Sequence, residues 1–185
     1  MLLNEDQSGT LLKGAHAAID ACLNNTALTP QTIAAPQLNQ SAGCFVTIHQ
    51  NGQLRGCIGT FESNRPLHLE VAQMAIAAAT ADPRFYAMGP EDIGNYSLDI
   101  SILSPRVKID DITQIEVGTH GIYLEKDYSR GVLLPQVAGE HGWDRQEFIK
   151  QTCIKAGLPT DAWRSPRTAI FIFSAQVISE NENNG

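Results

Sequence analysis

Arg55-Gly56-Cys57-Ile58-Gly59-Thr60 is the stretch whose residue types and spacing point most directly to chemistry. A cysteine attacks as its thiolate, and a thiolate at neutral pH needs a positive charge or a helix N-terminus beside it. Arg55 stands two residues before Cys57, so on a strand both side chains leave the same face. A helix expected to begin at Pro66 would add a partial positive charge. Gly56 and Gly59 would leave the backbone uncovered on either side of the thiol, open to a substrate and to N–H bonding of an oxyanion, with Thr60 beside them. A catalytic thiol also wants a base, and His49, His120 and His141 are the available imidazoles. The opposing reading is a buried, structural Cys57 with glycines that permit a tight chain crossing.

A second group is His120, Lys126, Arg130, Gln136 and His141. It would suit a small anionic ligand, with the forked guanidinium of Arg130 as donor, or it is a solvated hairpin tip. The other cysteines, Cys22, Cys44 and Cys153, are scattered without Cys-x-x-Cys, so free thiols are expected and no metal site is indicated. A Cys44–Cys57 redox pair would need the two on one sheet face at short range. No cofactor is called for by the chain, and it has no cysteine cluster for an iron–sulfur centre.

These residues must be positioned by secondary structure that the pattern makes visible. Leu11, Leu12, Ala15, Ala18, Ile19, Cys22 and Leu23 recur at helical spacing, which predicts a first helix over about 3–24 with His16 on its wetter side. A polar connector is expected over 26–41. Phe45–Gln50 and Gln53–Ile58 flank Asn51-Gly52, the strongest short-range hairpin signal. A two-residue turn with uniform pairing would set Ile48 opposite Arg55 and Val46 opposite Cys57. Arg55 and Cys57 would then share the face of Cys44, Val46 and Ile48, with His49 on the other, which favours His120 and His141 as partners of the thiol. Leu67, Val71, Met74, Ala75 and Ala78 predict a second helix over about 66–81, with Asn64 or Arg65 as its cap, ended by Asp82-Pro83-Arg84. Asp82 and Arg84 are expected to fix that turn, with a site role as the alternative. Residues 96–103 alternate as a strand. Gly121–Glu125 and Gly131–Leu134 suggest another hairpin, and Trp143-Asp144-Arg145-Gln146-Glu147-Phe148 is a helix start that closes at Gly157. Residues 168–178 read as one last strand, and 179–185 as a frayed tail.

The 185 residues suit a single domain, with two lobes not separable by pattern alone. Strands and helices alternate without a regular βαβ rhythm, which favours α+β with a mainly antiparallel sheet flanked by helices. Thirteen Lys and Arg against twenty Asp and Glu disfavour broad nucleic-acid binding, though a small basic pocket is compatible with that balance. No run approaches a membrane span and the acidic start is not a signal peptide, so a cytoplasmic protein is expected.

Leu54-Arg55-Gly56-Cys57-Ile58-Gly59-Thr60, Arg65-Pro66-Leu67 and Ala81-Asp82-Pro83-Arg84-Phe85 resemble, in this order, the motifs of the AMMECR domain, whose prokaryotic branch is AmmeMemoRadiSam system protein A. Gly118-Thr119-His120-Gly121, Gly131–Ala138, Gly142-Trp143-Asp144 and Lys155–Pro159 continue the likeness over nearly the whole chain. His16 stands where that pattern has Arg. The resemblance implies a larger and a smaller lobe with a cleft between them, and work beside Memo-like and radical SAM proteins. It implies no established reaction. Two roles stay open: an enzyme component using Cys57, or a non-catalytic binding module for a protein partner, a small anionic ligand or RNA.

Overall fold

The computed structural model describes residues 2–27 and 33–180. The chain divides into two compact units, Met1–Leu103 with Gln176–Gly185, and Ser104–Ala175. Each has its own hydrophobic core. The class is α+β with two antiparallel sheets, as the interspersed pattern predicts.

In the first unit, α1 (Glu5–Leu23) opens with the Asn4 side chain accepting from the Gln7 N–H while the Gln7 side chain accepts from the Asn4 N–H. The sheet has the order β2-β1-β3-β8, from β1 (Cys44–Gln50), β2 (Gln53–Thr60), β3 (Ser97–Leu103) and β8 (Ala175–Ser179). Helix α2 (Leu67–Thr80) lies across β1 and β2, and α1 lies against α2. Val71, Ala75 and Ala78 of α2 meet Val46, Ile48, Leu98 and Ile100 in the core. Neither Asn64 nor Arg65 caps α2. Its N-cap is Pro66, and the turn before it is held by Ser63, which donates to the buried Glu70 at 2.6 Å and accepts from Arg65 N–H at 3.0 Å.

In the second unit the order is β4-β7-β5-β6, from β4 (Val107–Ile109), β5 (Gly121–Lys126), β6 (Ser129–Leu133) and β7 (Thr168–Phe173). Ile122 and Leu124 of β5 meet Phe148, Ile149 and Cys153 of α4 (Arg145–Lys155). Asp144 caps α4 by accepting from Glu147 N–H at 2.8 Å, as the helix-start signature predicts. A short helix α3 (Pro135–Glu140) stands where the sequence shows no periodic signal.

Three expectations are corrected. The strand expected over 168–178 is two strands in different sheets, because the chain breaks at Ser174, whose N–H donates to Ser104 Oγ at 2.9 Å while its carbonyl accepts from Ser104 N–H at 2.9 Å. The β5–β6 turn is Asp127-Tyr128 alone, since Lys126 pairs with Ser129 and Asp127 carries the positive φ of 55°. Of the connector, residues 28–32 lie outside the described residues, and Pro36–Asn39 form a 3-10 turn that buries Leu38. Residues 181–185 of the expected tail also lie outside the described residues.

Candidate functional site

The hairpin turn forms as expected, with Asn51 and Gly52 at φ of 53° and 73°, and Gln50 pairs with Gln53. The register then shifts. His49 pairs with Leu54 but Ile48 pairs with Gly56, which leaves Arg55 as the extra residue of a bulge. From there every residue of β2 is displaced by one: Thr47 faces Cys57 and Val46 faces Ile58. Side chains alternate along a strand, so Cys57 lies on the face opposite Cys44, Val46 and Ile48. That overturns the shared face expected of Cys57 and the core residues, and with it the Cys44–Cys57 pair.

The cause of the bulge is Gly56. It is buried on the core face, where the backbone carbonyl of Ala78 in α2 occupies the space that a Cβ would need. Only the residue without a Cβ fits, and placing it there turns Cys57 outward. Gly59 is covered as well: the ring of Phe45, its cross-strand partner, fills its open side, and Phe45 in turn meets Phe61 edge-on at 4.9 Å. Both glycines therefore serve close packing rather than an uncovered backbone. The part of α2 that reaches this strand is its C-terminal end, so the expected support from the N-terminus at Pro66 is some 16 Å away along the helix.

Positive charge comes instead from the turn after α2. Asp82 and Arg84 were read mainly as a turn, and the structure brings both to Cys57. Cys57 N–H donates to Asp82 Oδ2 at 2.8 Å, and Arg84 Nη2 donates to the Cys57 carbonyl at 3.3 Å. Arg84 also donates from its own N–H and from Nε to Asp82 Oδ1, at 3.1 and 3.0 Å, and from Nη2 to Oδ2 at 2.7 Å. The Asp82 side chain is 2% exposed and that of Arg84 54%, so the pair has one anchored end and one end at the surface. The Arg84 bond holds the Asp82 carboxyl far below the usual carboxylate range, against its burial and with help from the Cys57 and Arg84 N–H groups. Arg84 is pushed up in turn, first by Asp82 and also by Cys57.

The outward face carries more than the thiol. Thr47 Oγ1 donates to Cys57 Sγ at 3.3 Å. Beyond Thr47, Asp99 on β3 is its direct partner in register. His49 Nε2 lies 2.9 Å from Asp99 Oδ2. His49 was set aside on the uniform register, but the bulge places it on the face of Cys57. Signals for Thr47 and Asp99 were absent, because neither is close to Cys57 along the chain.

Cys57 is partly exposed, whereas Cys44 and Cys153 are buried. Burial, with the charge of Glu70, pushes the Cys44 thiol up to about 12, and burial raises that of Cys153. Those two are poor nucleophiles. Arg55, at the bulge, lends its charge to Asp92, which mainly Gln50 and Gly89 N–H hold below its ordinary value. Thr60 donates to the Glu62 carbonyl at 2.8 Å.

The remaining candidates belong to the second unit. His120 Nδ1 accepts from Glu116 N–H at 3.1 Å, and His141 stacks on Trp143 with ring centres 4.5 Å apart. Arg130 is exposed opposite Glu125 beside the β5–β6 turn, and Gln136 is exposed on α3. A hollow of about 480 Å³ in this unit is lined by Lys108, Asp110, Asp111, Trp163 and Arg164 among others. His16, in the first unit, lies 2.7 Å from Glu180 and stacks on Tyr96. Among the described residues no group of three or more His, Cys, Asp or Glu is placed to hold a metal ion, and no helix is long and apolar enough to cross a membrane.

Similarity to known proteins runs over most of the chain. A protein of Methanothermobacter thermautotrophicus is 39% identical over 97% of this chain and 97% of its own length. One of Aquifex aeolicus is 38% identical over 80% of this chain and 79% of its own. The crystal structure of an uncharacterised protein from Pyrococcus horikoshii superposes with a TM-score of 0.84 at 33% identity, over 95% of this chain and 92% of that one. The AMMECR1 family model matches residues 12–178, and the chain belongs to that family.

Proposed function

We propose that this protein is a component of an AmmeMemoRadiSam system, acting with Memo-like and radical SAM proteins, and that it contributes Cys57 as a reactive thiol. The observation that carries the second half is the setting of Cys57: a partly exposed sulfur that accepts a hydrogen bond from Thr47, on a residue whose carbonyl accepts from the Arg84 guanidinium at 3.3 Å. A hydroxyl donor and a nearby guanidinium are groups of the kind a reactive thiol uses, and a buried structural cysteine needs neither. The main chain of Cys57 is fixed at its N–H and its carbonyl, and Thr47 Oγ1 donates to its sulfur. The partnership rests on family membership.

A second reading, a non-catalytic binding module, is favoured by one observation. Gly56 and Gly59 are filled by Ala78 and Phe45, so part of the motif is scaffold. RNA as its ligand is opposed by the formal charge of −7. Peptide-resolved alkylation of the native protein separates the readings. The reactive thiol predicts that Cys57 is modified at least about tenfold faster than the partly exposed Cys22; equal rates support the binding module.

A further inference from the structure

Asp99 Oδ1 is buried and, among the described residues, has no hydrogen-bond partner. A buried carboxylate oxygen left without a donor is costly, and such an atom calls for a specific explanation. Its other oxygen, Oδ2, is bonded to His49 Nε2, so the deficit lies on one side of the carboxylate only. On the same sheet face, Thr47 is the residue paired directly with Asp99, and directly opposed side chains have Cβ atoms about 5 Å apart. Its hydroxyl has a single proton, which in this structure is given to Cys57 Sγ. Two acceptors on neighbouring strands thus compete for one donor that stands between them.

We propose that Thr47 and the Asp99–His49 pair are the route by which Cys57 loses its proton. This rests on the reading of Cys57 as a reactive thiol. The S–H proton passes to Thr47 Oγ1 as the hydroxyl proton of Thr47 passes to Asp99 Oδ1. The S–H electron pair stays on sulfur, which becomes a thiolate on the residue whose carbonyl accepts from Arg84. The proton now rests on Asp99 Oδ1, while Oδ2 keeps its 2.9 Å contact with His49, which holds the carboxyl in place. One proton has moved from Cys57 to the Asp99–His49 pair, and no oxidant or reductant takes part. His49 and Asp99 side chains are each 27% exposed, which leaves the pair in contact with water for release. Thr47 touches the reacting sulfur, whereas Asp99 and His49 act through Thr47 as positioning residues.

The test is the rate of Cys57 alkylation by iodoacetamide in the full-length protein at neutral pH, for the wild type and for Thr47→Val, Thr47→Ser, Asp99→Asn and the Thr47→Val/Asp99→Asn double variant. Thr47→Val keeps the β-branched shape and replaces the hydroxyl with a methyl group, and a thermal melt of each variant checks that it is folded. The route predicts a fall of about tenfold in Thr47→Val, near wild-type rate in Thr47→Ser, and a fall in Asp99→Asn that adds nothing to Thr47→Val. A Thr47→Val protein that reacts at the wild-type rate, or an Asp99→Asn effect undiminished in the double variant, overturns the route while leaving a fast wild-type Cys57 intact. A wild-type Cys57 no faster than Cys22 overturns the reactive thiol itself, and the route with it.

Discussion

Asp82 is the residue on which the candidate site turns, because one carboxylate receives the N–H of Cys57 and three donors of Arg84. Its depressed pKa has a definite consequence for stability. A carboxyl whose folded value lies below its unfolded value of about 3.9 stabilises the protein above that pH, and the contribution is lost as pH falls through the folded value. Asp82→Asn is therefore expected to lower stability by about 2 kcal/mol at pH 7, since buried N–H groups lose a charged acceptor. Below about pH 4 the gap between variant and wild type should narrow. Thermal melts of both proteins at pH 7 and pH 3 check this, and a gap of the same size at the two values would contradict it. The Asp82-Pro83-Arg84 turn was visible in the sequence, but its reach to Cys57 was not, because 25 residues separate Asp82 from Cys57 and only the path of α2 brings them together.

At the scale of the elements, the hairpin shows where sequence pattern stops being sufficient. Asn51-Gly52 and the flanking β-branched residues made the turn and both strands legible. The bulge at Arg55 was not legible, because nothing in a two-residue turn reports on a helix packed against the strand. A one-residue shift reverses every face beyond it, so the assignment of Cys57 to the core side, and the choice of His120 and His141 over His49, followed from one missed residue. Gly56 was the available clue. A methyl group there meets the Ala78 carbonyl, so Gly56→Ala must push α2 from the sheet or force β2 out of register. The expected cost is about 3 kcal/mol, at the upper end for overpacking, read as a fall in melting temperature on the order of 10 °C. A variant that melts within a degree or two of wild type would show that the helix is not seated on Gly56. The split of 168–178 into β7 and β8 had the same kind of cause, since an unbroken apolar pattern does not say which sheet each half joins.

For the whole molecule, α+β with antiparallel pairing was readable from the order of the elements, whereas the division into two units was not. The reason is that the first unit is assembled from both ends of the chain, with β8 beside β3. The second unit is continuous and has its own core, and its ends are joined by the paired Ser104 and Ser174 backbones. A chain of residues 104–175 is expected to fold by itself and melt cooperatively by circular dichroism, which a featureless thermal profile would refute. The functional account, by contrast, stands in the first unit and rests on the Arg84 guanidinium held at the Cys57 carbonyl. The most direct test is the native alkylation rate of Cys57, resolved from Cys22, in the wild type and in Arg84→Gln. The account predicts a fast wild-type thiol that slows about tenfold when the guanidinium is removed. A Cys57 that reacts at the same rate in both proteins would contradict it.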